Sequence, residues 1–333
     1  MADKATARAH PIQGLVKYHG MRDAELRFPY HDSISLCTAP TATTTTVEWQ
    51  PDASEDVYVI GGEPVDGRAA ERIDAVVDHV RELAEFDRSV RLESENSFPS
   101  NIGFGSSSSG FAAAALALTE AAGLDLSLPE VSTVARRGSS SAARAVTGAY
   151  SYLEAGLNDE DCRSRRLTVG VDEDGFDPEE DLRVVAAHVP AYKETEEAHA
   201  EAAASHMMDA RVAHVQDQLV EMTDALRAGS FDRIFRTAEH DSLSLTATTM
   251  TGPAGWVYWQ PETIAVFNAV RELREEEDVP VYFSTDTGAS VYVNTKPDHV
   301  DAVRSRIDEI GIDTDVWKVG GPARILGEGD ALF

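Results

Sequence analysis

The pattern of this 333-residue chain predicts an α+β fold in two parts. Three observations carry that reading. β-Branched stretches separated by turns fill the first third and recur later, long amphipathic helices take over near residue 190, and a 42 % hydrophobic content suffices for a sizeable core. The expected division is therefore 1–190 and 191–333.

The elements follow in order. "GLVKYHG", "DSISLCTA", "TATTTTVEW" and "DVYVIGG" are rich in β-branched and aromatic residues and favour extended structure. In "AAERIDAVVDHVRELAEF" the apolar residues Ile73, Val76, Val77, Val80, Leu83 and Ala84 recur at helical spacing, and "SVRLESE" returns to strand. A glycine- and serine-rich turn at 103–110 then opens an alanine-rich helix to about Ala122, with a second helix near 128–137 and strands at "AYSYLEAG", "RRLTVGV" and "LRVVAAHV". The acidic stretch "DEDGFDPEEDL" between the last two lacks calcium-loop spacing and reads as a solvated hairpin. Beyond Pro190 come helices over roughly 196–228, 230–246 and 261–276, strands "VPVYFSTD" and "ASVYVNT", a helix from about 297 and a closing strand "DVWKVGG".

Charge narrows the function classes. The chain has 58 acids against 29 bases, for a net charge of −29, and only five of the bases are lysines. Such a surface repels nucleic acid and anionic membrane, and its self-repulsion is relieved in concentrated salt, which points to a halophile. Cys37 and Cys162 stand far apart without metal spacing, as suits a reducing compartment. The longest apolar run, "GFAAAALAL", is too short to span a bilayer, and "MADKATARAH" lacks the apolar core of a signal peptide. A soluble, cytoplasmic protein is expected.

Three stretches could carry chemistry. "PSNIGFGSSSSGFAAAALALTE" sets small residues directly before a strong helix, where backbone N–H groups and the helix dipole favour an anion. Ser106, Ser107, Ser108 and Ser109 could add phosphate or Mg²⁺ contacts, although the run is neither a Walker loop nor GxGxxG, and such turns also occur for structural reasons alone. "RRGSSSAARAVTGAY" places Arg144 about one helical turn beyond Ser139 to Ser141, a planar fork suited to phosphate or carboxylate. In "YFSTDTGAS", Asp286 ends a β-rich run. It is either an Asx-turn aspartate or a carboxylate able to orient or deprotonate a hydroxyl. His199, His206 and His214 are spaced too widely for one metal and read as a solvated helix face, and no GxSxG elbow supports acyl-enzyme chemistry.

Taken in order, "VKYHGMRDAELRFPYHDSISLCTA", "SENSFPSNIGFGSSSSGFAA", "RRGSSSAARAVTGAY" and "FSTDTGAS" resemble the mevalonate (di)phosphate decarboxylases of the GHMP kinase superfamily over nearly the whole chain. That resemblance implies a GHMP kinase fold, with a ribosomal S5 domain 2-like N-terminal domain and a ferredoxin-like C-terminal domain. It also implies ATP, Mg²⁺ and a small-molecule substrate in the cleft, a homodimer, and no nucleic-acid or membrane partner. The implied chemistry phosphorylates the tertiary 3-hydroxyl of a phosphorylated mevalonate, after which phosphate and carbon dioxide leave and an alkene forms. Position by position, Asp286 resembles the catalytic aspartate, Arg144 the arginine on the substrate's acid groups and Lys17 the first lysine of "KYWGKRD". Ser107 and Ser109 match phosphate-loop serines, with Ser107 a candidate Mg²⁺ contact, and Gly103, Gly105, Ser106 and Ser108 belong to the same loop. Tyr18 and Arg72 resemble contacts to the terminal phosphate, Ser139 and Ser141 line the substrate side, and Ser94 and Asn96 lie on the nucleotide side.

Departures from the family pattern bear on the substrate. His19 stands where the family has tryptophan and Met21 where it has a second lysine, so less positive charge is expected around the phosphates. Family members from haloarchaea are associated with decarboxylation of mevalonate 5-phosphate to isopentenyl phosphate in isoprenoid biosynthesis, and the acidic surface places this chain beside them. Mevalonate 5-phosphate is the expected substrate. A diphosphomevalonate decarboxylase and a mevalonate-type kinase without decarboxylation are the alternatives.

Overall fold

Alternation along the first strand sets one face of the molecule. In β1 (Lys4–Ala9), Ala5, Ala7 and Ala9 point to one side and Thr6 and Arg8 to the other. Small side chains on the inner side let a buried helix lie close. The computed structural model describes residues 3–98, 104–191 and 195–333. After β1 come β2 (Ile12–Val16), β3 (Met21–Asp23), β4 (Phe28–Pro29), β5 (Ser33–Ala39), β6 (Thr43–Gln50), β7 (Val57–Ile60), β8 (Glu63–Pro64), α1 (Gly67–Ala84) and β9 (Ser89–Asn96). Then follow α2 (Ser106–Ala121), α3 (Leu128–Gly138), α4 (Ser140–Thr147), β10 (Tyr150–Leu153), β11 (Ser164–Arg166) and β12 (Arg183–Ala187).

The first sheet runs β8, β7, β9, β6, β1, with one more strand beyond β1 supplied by the C-terminus, and only the β7–β9 pair is parallel. α2 is apolar all round and sits on this sheet, covered in turn by α1, α3 and α4. α1 turns Ile73, Val76, Val77 and Val80 inward, as their spacing predicts. α3 opens with a capping box between Ser127 and Glu130.

The second half contains α5 (Thr195–Ala203), α6 (Met208–Arg227), α7 (Phe231–Met250), α8 (Pro261–Glu276), β13 (Val281–Ser284), β14 (Val291–Thr295), α9 (Val300–Asp308), β15 (Thr314–Val319) and β16 (Arg324–Ile325). Its sheet is continuous with the first half: β11, β10, β5, β15, β12, β14 and β13 form one ladder, and β2 pairs with β5. β12 is flanked by β14 and β15, so the division expected near 190 is better drawn ahead of this strand. Leu15, Val16, Ile34 and Leu36 share one core with Val215, Leu219, Met222, Ile234 and Phe235. Each such buried side chain contributes about 1.5–3 kcal/mol, which resists separation of the halves.

Several expectations are corrected. The helix expected over 196–228 breaks between α5 and α6, where Met207 N–H donates to the Ser205 hydroxyl at 3.1 Å. The acidic stretch forms no hairpin. Its flanking strands do not pair with one another, and Asp172 instead turns the chain by accepting from Asp174 and Phe176 N–H. β1, a strand inside the first sheet, was not foreseen because its apolar face is alanine alone. No helix among the described residues is long and apolar enough to cross a membrane.

The C-terminal segment crosses the outer face of the first sheet. β16 pairs with β1, Leu332 N–H donates to Thr46 Oγ1 at 2.9 Å, and the Phe333 ring lies 4.0 Å from the Arg91 guanidinium. The chain reaches that face past Gly148 (φ 68°), where an added Cβ would come within 2.1 Å of Pro322 Cα. Gly148→Ala is therefore expected to lower stability by about 3 kcal/mol or more, read as a lowered denaturation midpoint in concentrated KCl. A change below about 0.5 kcal/mol would show that this crossing carries no constraint.

Candidate active site

Gly14, on β2, is where the two halves present their reactive groups. A Cβ there would lie 2.6 Å from Lys17 Cγ and 2.8 Å from Asp286 Oδ1, so glycine lets both side chains pack over the strand. Asp286 follows β13. Its Oδ1 accepts from Gly14 N–H at 3.1 Å and its Oδ2 from the Tyr292 hydroxyl at 3.2 Å. Gln13 fixes the register beneath by donating to Ser284 Oγ at 2.9 Å and Asn294 Oδ1 at 3.0 Å.

Lys17 is buried and held from below. Its Nζ donates to Ser242 Oγ at 3.0 Å and to Asp241 Oδ2 at 3.3 Å, and its backbone N–H reaches the same carboxylate at 3.0 Å. Arg211 pairs with Asp241 Oδ1 at 2.7 Å and donates to Lys17 O at 2.7 Å. Burial pulls the Lys17 ammonium below its ordinary pKa, against the pull of Asp241 and Asp286. For Asp241, burial works upward, but Arg211 and Lys17 outweigh it and hold the carboxyl below its usual range. Ser242 also accepts from Thr285 N–H at 3.1 Å, which ties Lys17 to the turn bearing Asp286.

Arg144, on α4, completes the centre. It is 3 % exposed, its guanidinium lies 5.2 Å from the Tyr18 ring, and it feels the charge of Asp286. Its Nε and Nη1 are buried and meet no hydrogen-bond acceptor among the described residues. Two desolvated cationic donors so placed are suited to an anionic ligand group. Tyr18 is sandwiched on its other side by His199, with ring centres 5.1 Å apart. His199 is thus buried, unlike the solvated helix face expected for it, whereas His206 and His214 are exposed. His19 is fully buried, 2.6 Å from Thr249 Oγ1, and burial keeps its imidazole neutral.

Beyond Tyr18 lies positive charge that the motifs did not disclose. Arg72 donates twice to Gly138 O, at 3.1 and 2.7 Å, and Arg27 donates to Arg137 O at 2.9 Å. Ser139 and Ser141 hydroxyls meet at 2.8 Å beside them. Burial, with Arg27 next, lowers the Arg72 guanidinium to about 10, and Arg68 adds to the effect. The reduced positive charge expected from Met21 is therefore corrected: Arg27 and Arg68 supply cations there. Met21 itself is half-buried on β3 opposite Pro29.

The small-residue loop divides in two. Gly105 caps α2 in the left-handed region, and Ser106 and Ser107 remain accessible, Ser107 fully exposed. Ser108 and Ser109 are corrected from ligand contacts to structural residues. Ser108 Oγ donates to Gly105 O at 2.6 Å and accepts from Ile12 N–H, while Ser109 Oγ lies 2.6 Å from Thr43 Oγ1. Gly103 lies outside the described residues. Ser94 is buried against Thr45 at 2.9 Å, and Asn96 accepts from Thr43 Oγ1 at 2.6 Å while bordering a cavity of about 500 Å³ with Arg8, His10 and Arg324. Neither is brought to Asp286.

Residues 9–164 match the model of the diphosphomevalonate decarboxylase-like N-terminal domain. The chain is 72 % identical over 330 residues to the phosphomevalonate decarboxylase of Haloferax volcanii, covering 99 % of this chain and all of that protein. The chain belongs to the mevalonate phosphate decarboxylase family. Within this family it is 28 % identical to the diphosphomevalonate decarboxylase of Eremothecium gossypii over 83 % of this chain and 74 % of that one. The mevalonate diphosphate decarboxylase of Staphylococcus aureus superposes with a TM-score of 0.90 at 26 % identity, over 97 % and 98 % of the two chains. A structure of MDDEF in complex with MVAPP, AMPPCP and magnesium superposes at 0.88 and 25 % identity, with the same coverages. The fold is that of the GHMP kinases.

Asp241 and Arg211, which sequence reading missed, left one signal. Each is a charge on the buried stripe of an amphipathic helix, Arg211 between Met208 and Val215 and Asp241 between Ala238 and Leu245. Removing the Asp241 charge strands two buried cations. Asp241→Asn is expected to destabilise the fold by about 3–5 kcal/mol at neutral pH, measured by chemical denaturation. Because the folded carboxyl titrates below its unfolded value, its stabilisation is lost as pH falls through the lowered folded pKa, and the gap between variant and parent should narrow there. A gap independent of pH would refute the ionised pairing.

Proposed function

We propose that this protein catalyses ATP-dependent decarboxylation of mevalonate 5-phosphate to isopentenyl phosphate, releasing ADP, phosphate and carbon dioxide. The observation that carries the chemistry is the convergence of Asp286, Lys17 and the open Arg144 donors around Gly14. The monophosphate is supported by the 72 % identity to the Haloferax volcanii enzyme, whose name specifies phosphomevalonate.

In this reading Asp286, oriented by Gly14 N–H and the Tyr292 hydroxyl, receives the proton of the substrate's 3-hydroxyl as that oxygen takes the γ-phosphoryl group of ATP. The C3–O bond then breaks with the phosphate as leaving group, the C1–C2 bonding pair becomes the new alkene bond, and carbon dioxide departs. Arg144 holds the carboxylate with its buried donors. Lys17 sets a positive charge beside the oxygen where negative charge develops, and Asp241 and Ser242 fix its position. ATP phosphates fit the N-terminus of α2, where Gly105 permits close approach and Ser106 and Ser107 face outward. Mg²⁺, when bound, neutralises phosphate oxygens, with the Ser107 hydroxyl its candidate contact.

Incubation with mevalonate 5-phosphate or its diphosphate in concentrated KCl, following ADP and carbon dioxide, tests the reading. The monophosphate is expected to give the higher kcat/KM with equal yields of both products. Faster turnover of the diphosphate would reverse the substrate assignment, and ADP without carbon dioxide would make the protein a kinase.

Asp286→Asn is expected to retain ATP binding and lose roughly 100-fold or more in kcat; near-parental turnover would remove it from the proton transfer. Met21→Lys adds back the family's second lysine. The ratio of diphosphate to monophosphate kcat/KM should rise about 10-fold, and an unchanged ratio would confine Met21 to packing.

A further inference from the structure

We propose that Arg27 is a specificity-determining residue that binds the substrate's terminal phosphate, side by side with Arg72 at the N-terminus of α4. The proposal rests on the function given above and adds a residue that the family motifs do not supply.

The geometry begins with two consecutive carbonyls. Arg27 Nε donates to Arg137 O at 2.9 Å and Arg72 to Gly138 O at 2.7 Å, so adjacent peptide units anchor both guanidiniums at the junction of α3 and α4. A guanidinium has five donors, and a single carbonyl occupies only part of the fork. Anchoring by neutral carbonyls fixes position without cancelling charge, which a carboxylate anchor would do.

The neighbouring groups point to the same ligand. α4 starts at Ser140, with Ser139 at its cap, and its first-turn N–H groups and positive dipole end favour an anion. The Ser140 hydroxyl donates to Arg27 O at 2.5 Å, which locks the backbone of Arg27 to this helix start. Arg27 adopts φ 55°, a conformation uncommon outside glycine and a sign that its placement is determined by these contacts. Arg27 and Arg72 each act electrostatically on the Tyr18 phenol, whose ring carries Arg144. Charged groups therefore follow one another from Asp286 and Lys17 through Arg144 and Tyr18 to Arg27 and Arg72. That order matches an elongated substrate with its hydroxyl and carboxylate at one end and its phosphate at the other. Arg68, exposed in the first turn of α1, adds a solvent-screened charge at the outer rim.

The test compares Arg27→Gln, Arg27→Lys and Arg68→Gln with the parent, using mevalonate 5-phosphate and ATP in concentrated KCl. Arg27→Gln is expected to raise KM for mevalonate 5-phosphate by roughly 10- to 100-fold, to weaken its calorimetric affinity in parallel, and to leave kcat and the KM for ATP within about threefold. Arg27→Lys should recover part of that loss, since it restores charge without the fork. Arg68→Gln should change KM by less than about threefold. An unchanged substrate KM in Arg27→Gln would overturn the proposal. So would equal losses in kcat and ATP affinity with a lowered melting temperature, which would make Arg27 a purely structural brace. Failure of the parent to turn over mevalonate 5-phosphate would instead sink the function on which the proposal rests.

Discussion

The buried carboxylate of Asp241 is the interaction on which the rest of the site depends. It draws together the ammonium of Lys17 at the end of β2, the guanidinium of Arg211 on α6 and the helix α7 that carries it. With two cations on one carboxylate, the group as a whole retains positive charge in a place closed to water. That charge is costly to bury unless an anion shares the site, and Asp286 is the nearby carboxylate whose field reaches Lys17. The half of the chain that supplies α6 and α7 thereby fixes the orientation of a lysine belonging to the other half.

A second constraint acts through neutral groups. Gln13 reaches β13 and β14, Ser242 bridges Lys17 and the Asp286 turn, and Glu239 holds β13 by accepting from Phe283 N–H at 3.2 Å while pairing with Arg274. Salt screens exposed pairs strongly but buried hydrogen bonds little. In a chain of net charge −29, the contacts that set the active geometry are thus mostly of the kind that concentrated salt leaves intact, while numerous exposed Arg–Glu and Arg–Asp pairs contribute about 0–1 kcal/mol each.

Much of this was legible in the sequence, for identifiable reasons. Helical periodicity located α1, α3 and α8 because each buries one continuous apolar stripe, and the ordered motifs located Lys17, Arg144 and Asp286 because their neighbours are small or turn-forming. The phosphate loop was read too generously. Four consecutive serines look alike in sequence, but a helix start points successive side chains in different directions, so Ser108 and Ser109 turn inward. Charge was misjudged for the opposite reason: Arg27 and Arg68 sit outside the motifs, and only tertiary packing brings them to Arg72. His199 looked like one of three exposed histidines until the break after α5 placed it against Tyr18.

The path of the C-terminus has a consequence for biosynthesis. β1 is among the first segments to leave the ribosome, yet one of its edges is completed by β16 and its outer face by Leu332 and Phe333, at the very end of the chain. The first half cannot finish its sheet while translation continues. A truncated product lacking those residues would expose unpaired β1 backbone, a template for association, so the last ten residues act as a check on complete synthesis.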